Sequence, residues 1–82
     1  MTDKELIKTS RKMLNLNQGP FAALIGVSIQ AVQSWELGRR NPKPEAFRAI
    51  LDAIVTRTVS AASRQAFIND TVEKLKEKAK ES

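Results

Sequence analysis

Arg39, Arg40 and Lys43 fall within five positions of a stretch punctuated by Gly38, Pro42 and Pro44. Clustered cations on a loop suit a polyanion. Little else is equipped for chemistry. With no His and no Cys, the commonest neutral metal ligand, the commonest general base and every thiolate site are missing. Nucleophile–base pairs of the Ser-His or Cys-His kind cannot be built. The 9 Asp and Glu are scattered, mostly beside Lys or Arg, which suits solvated ion pairing better than paired acid/base work. The chain is therefore expected to be no enzyme and to hold neither metal nor cofactor.

The elements that position these side chains must come from 82 residues with a net charge of +5 and a pI near 10.0. A chain of this size makes one compact core, burying only roughly 60% of its unfolded surface. Lys4, Lys8, Arg11, Lys12, Arg39, Arg40 and Lys43 face only Asp3, Glu5 and Glu36 in the first half, so +4 of the charge lies before Pro44 and +1 after it. The longest apolar run, Phe21 to Val27, is far short of a membrane span. The opening MTDKELIK lacks the apolar stretch of a signal peptide. A cytoplasmic protein without membrane association is the expectation.

Apolar residues recur at helical spacing throughout and nowhere alternate for long, so an all-α chain of about five helices is predicted. Thr2 with Glu5 forms a capping-box pattern for a first helix from Asp3 to Leu14, and Asn15 suits a left-handed cap. Asn17 is placed to cap a second helix, with Phe21, Leu24 and Ile25 as its buried stripe and Gly26 as its end. Ser28 caps a third, whose apolar positions are Ile29, Val32 and Trp35 and which closes at Gly38. Two short helices joined by a tight turn containing Gly form a helix-turn-helix. The segment RRNPKP cannot be helical, and Pro44 starts a fourth helix with Phe47, Ile50, Leu51 and Ile54 on one face. A break is expected around Thr56 to Ser60. Beyond it Asp70 and Glu73 match a second capping box, which leaves the tail as one kinked helix or two shorter ones. Residues 1–57 read as one unit and 58–82 as a helical extension whose end, Lys76 to Ser82, is expected to fray.

Leu14, Leu16, Gln18, Phe21, Ala22, Gly26, Val27, Ser28, Val32, Trp35, Glu36 and Gly38, followed by a basic loop and a proline-started helix, resemble the helix-turn-helix domain of the Cro, lambda-type repressor and Xre family of bacterial and phage regulators. The resemblance runs from about Ile7 to Ile54. It implies that the third helix enters the DNA major groove with Ile29, Gln30, Gln33 and Ser34 toward the bases. The chemistry agrees, since glutamine can bond adenine through N6 and N7 and an apolar side chain can pack on a thymine methyl. The resemblance also implies phosphate contacts from Asn17, Gln18, Ser28, Arg39, Arg40 and Lys43, which position the protein without reading sequence. It further implies a structural salt bridge between Arg11 and Glu36. Trp35, three residues after Val32 on the same face, reads as core.

The tail has to be read from its own chemistry. Phe67, Ile68, Val72 and Leu75 form a stripe that either folds back onto the first and fourth helices or pairs with a second copy; a homodimer through this stripe is the expectation. Two copies on a palindrome would bring two reading helices to half-sites about 34 to 36 Å apart. The resulting function is a sequence-specific, double-stranded-DNA-binding transcriptional regulator, a dimeric repressor that occludes a promoter. The alternative is an antitoxin whose tail neutralises a toxin partner while the same domain regulates its own operon. With no effector domain beside it, no small-molecule ligand is expected.

Overall fold

The computed structural model describes residues 2–58 and 65–80, with side chains described for residues 2–57 and 70–80. Five helices follow in order: α1 (Asp3–Met13), α2 (Gln18–Ile25), α3 (Ile29–Glu36), α4 (Pro44–Thr58) and α5 (Gln65–Lys80). No strand occurs among the described residues.

Helix α1 begins with the capping box that the sequence predicts. The Thr2 hydroxyl accepts from the Glu5 amide at 3.3 Å, and the Glu5 carboxylate accepts from the Thr2 amide at 2.9 Å. These bonds, the backbone one first, hold the Glu5 carboxyl below the usual glutamate range. The first three helices all end in the same way. Asn15, Gly26 and Gly38 have φ of 57°, 79° and 77°. Each is followed by a residue whose amide reaches back to the helix, Leu16 to the Arg11 carbonyl, Val27 to Ala22 and Arg39 to Ser34, at 3.3, 2.9 and 2.9 Å. This is the Schellman arrangement, which satisfies carbonyls that a helix end would otherwise leave bare. It also turns the chain sharply enough for α1, α2 and α3 to pack within a few residues of one another.

The core takes Leu6 and Ile7 from α1, Phe21, Ala22 and Ile25 from α2, Val32 and Trp35 from α3, and Ala46, Phe47, Ile50 and Ile54 from α4. Each large side chain fully removed from water contributes about 1.5 to 3 kcal/mol. Ser10 is buried among them because its hydroxyl donates to the Leu6 carbonyl at 2.7 Å, which satisfies that donor.

The tail differs from expectation in several respects. Helix α4 continues through Thr56 to Thr58, so the expected break does not begin at Thr56; residues 59–64 lie outside the described residues. Helix α5 is unbroken from Gln65 to Lys80, and Asp70 is an interior residue rather than a cap. It packs on α4 and α1, placing Leu75 and Ala79 in the same core and Val72 against it. Leu75 is fully buried within its own chain, which removes it from any surface offered to a second copy, and half-buried Val72 is largely committed in the same way. The side chains of Phe67 and Ile68 lie outside the described residues. Nor do Lys76 to Lys80 fray. Arg48 of α4 donates to the Ala79 carbonyl at 2.9 Å, and Lys78 pairs with Asp3 at 3.1 Å, tying the end of α5 to both neighbours.

Candidate nucleic-acid interface

Helix α3 is amphipathic in a way that separates structure from exposure. Val32, Trp35 and Glu36 point inward, while Gln30, Gln33 and Ser34 stand on the opposite side at i, i+3 and i+4, the two glutamines exposed and Ser34 partly so. The helix starts rigidly, because the Ser28 hydroxyl accepts from the Ala31 amide at 3.1 Å. Its end is fixed by the Gly38 turn. Ile29 sits at the edge of the exposed side, 38% accessible, and leans toward α2: its terminal methyl is 3.7 Å from where a Cβ on Gly19 would stand. Trp35 is buried, as its spacing from Val32 predicts.

Below α3 lies a polar knot. Arg11 binds the Glu36 carboxylate with two bonds, Nε to Oε2 at 2.7 Å and Nη2 to Oε1 at 3.1 Å. Its remaining Nη1 donates to the Leu16 carbonyl at 3.1 Å. Side-chain exposures of 17% for Arg11 and 5% for Glu36 make this a mostly desolvated, two-pronged pair rather than a surface ion pair. Gln18 adds a third donor, Nε2 to Glu36 Oε1 at 3.2 Å. Glu36 thus joins the end of α3 to α1 and to the first residue of α2. The part played by Gln18 in this knot has no signal in the sequence; it needed the fold to bring positions 18 and 36 together.

The six residues expected at phosphates are not equivalent. Arg39, Arg40 and Lys43 are exposed, and their charged ends make no bond to another described residue. Asn17 stands at the N-cap position of α2, but its side chain makes no capping bond, leaving the exposed amide group available to an outside partner. Gln18 is half-buried with part of its donor capacity committed to Glu36, and the exposed Ser28 has its hydroxyl oxygen on the Ala31 amide. The exposed groups form a cationic loop beside an uncharged helix face, an arrangement that can hold a backbone of phosphates while presenting amides to base edges.

Among the described residues no group of carboxylates is arranged to hold a metal ion, and no helix is long and apolar enough to cross a membrane. A helix-turn-helix family model matches residues 7–54, spanning α1 from its buried Ile7 through the α4 core residue Ile54. No curated protein and no solved structure matches the chain.

Proposed function

We propose, for a chain that belongs to the helix-turn-helix family of DNA-binding regulators, that it is a sequence-specific repressor acting as a dimer on a palindromic operator. The observation that carries this reading is the exposed amide face of α3, Gln30 and Gln33 with Ser34 beside them, standing on a helix fixed at both ends and anchored underneath through Glu36. A helix already fixed in place can present these amides to adenine edges with no ordering cost beyond that of the glutamine side chains themselves. Arg39, Arg40 and Lys43 supply the salt-dependent attraction to the backbone. A dimer lets two short helices add their affinities over half-sites about one DNA turn apart.

The antitoxin reading gains no support from the described side chains of α5. Its solvent side among the described residues carries Asp70, Glu73, Lys76, Glu77 and Lys80, which gives an apolar partner no seat there.

Selection of bound sequences from a random duplex pool tests the proposal. The expected product is a palindrome with half-sites about 10 base pairs apart. Gln30→Ala and Gln33→Ala should each relax one position, by about 1 to 3 kcal/mol, with non-specific binding unchanged. A pool that stays random, or glutamine variants with wild-type ratios of specific to random binding, would sink the assignment.

A further inference from the structure

We infer that Leu37 is a further specificity-determining position, packing its side chain on the 5-methyl group of a thymine at the far end of each half-site. The inference rests on α3 being the helix that reads bases. Leu37 follows Gln30, Gln33 and Ser34 at i+7, i+4 and i+3, and as the helix cap it keeps helical backbone angles, φ −86° and ψ −7°. Its side chain therefore continues the exposed stripe of α3 instead of turning with the loop. At 63% accessible it is the most exposed large hydrophobic residue among the described ones, ahead of Val55 at 49% and Ile29 at 38%.

A single exposed leucine is ordinarily unremarked on a protein surface. Three further observations give this one a task. The Schellman bonds around it, Gly38 amide to Trp35 carbonyl at 3.1 Å and Arg39 amide to Ser34 carbonyl at 2.9 Å, hold the Leu37 backbone still. Just past Gly38, Arg39 and Arg40 are exposed cations that would draw this end of α3 onto the phosphates. Finally, with α3 lying along the major groove the span suffices: seven residues of helix rise about 10 Å, which is about three base pairs at 3.4 Å each. An isobutyl group can neither donate nor accept a hydrogen bond, and the apolar feature that the major groove offers is the thymine methyl. Ile29 and Leu37 then bracket the glutamines, one apolar contact near the α2–α3 turn and one at the opposite end.

Deoxyuridine scanning of the selected operator reads this directly, because it deletes a methyl and leaves every hydrogen-bonding group in place. With the wild-type protein, one thymine per half-site should weaken binding about four-fold on losing its methyl, the value of one buried carbon at about 0.8 kcal/mol. Leu37→Ala should bind the thymine and uracil operators equally at that position, while Ile29→Ala retains the full difference there. Unfolding of Leu37→Ala should match wild type, as its side chain is outside the core. Three results overturn the inference: a methyl penalty that persists unchanged in Leu37→Ala; no methyl penalty anywhere beyond that removed by Ile29→Ala; or a Leu37→Ala protein that loses dimer in light scattering, which would make the leucine a protein contact. A pool showing no enriched sequence would remove the reading of α3 itself and this inference with it, whereas the three results above leave that reading standing.

Discussion

The two ends of this small core are held together by different physics. Where α1, α2 and α3 meet, a guanidinium, a carboxylate and an amide meet in one directional knot, Arg11, Glu36 and Gln18. Where α5 meets α4 and α1, contact among the described residues is mainly apolar, through Leu75 and Ala79, with polar ties toward the end of the helix. Directional bonds fix angle and register within tenths of an ångström. Apolar packing mainly fixes distance and exclusion of water, and tolerates small slides. The half that presents α3 outward has the first kind of restraint, and the half that completes the core has the second.

Substituting one member at each end separates these roles. Glu36→Ala should have the largest effect, a loss of about 3 to 5 kcal/mol in urea unfolding, because it leaves the mostly buried Arg11 charge without its counterion and frees Gln18. A loss below about 1 kcal/mol would mean the pair behaves as a solvated surface pair, and the contrast between the ends would collapse. Leu75→Ala should cost about 3 kcal/mol by the same assay, from lost transfer energy and the cavity left behind. The ratio of specific to random DNA binding should stay at the wild-type value under conditions where the variant is folded. A changed sequence preference would show that α5 also sets the angle of α3. The smallest effect, and of opposite sign, belongs to Thr71→Val. Thr71 is fully buried on α5, and its hydroxyl has no hydrogen-bond partner among the described residues. Replacing that hydroxyl with a methyl group should raise stability by about 1 kcal/mol, seen as a higher midpoint of thermal unfolding. A destabilised variant would reveal a partner for the hydroxyl.

Thr71 also marks a limit of pattern reading. A threonine at that position is compatible with a solvated helix face, and nothing local says that α5 turns it inward. The apparent capping box at Asp70 and Glu73 misleads for a related reason: a cap residue acts as one only where the chain enters the helix, and here the helix is already under way from Gln65. Local signals succeed at the other end of the chain. Thr2 with Glu5, Asn15, Gly26, Ser28 and Gly38 all sit where their chemistry places them, since a cap or a left-handed residue acts within a few positions of itself. For the residues proposed to face DNA, position in sequence identifies the exposed glutamines of α3 but cannot distinguish Asn17, which is free to reach outward, from Gln18, whose amide already donates to Glu36.

The amino-acid sequence by itself determined the first four helices and the turns between them, the uncharged exposed face of α3 and the cationic loop after it, because each depends on residues no more than one or two helical turns apart. Only the tertiary structure decided the fate of Val72, Leu75 and Ala79 in the C-terminal stripe. Whether an apolar helix face is buried against its own chain or left for a second copy depends on the shape of the surface it meets, and that surface is assembled from α1 and α4, far away in sequence. Here it accepts Leu75 and Ala79, with Arg48 and Asp3 placed to fasten the end of α5.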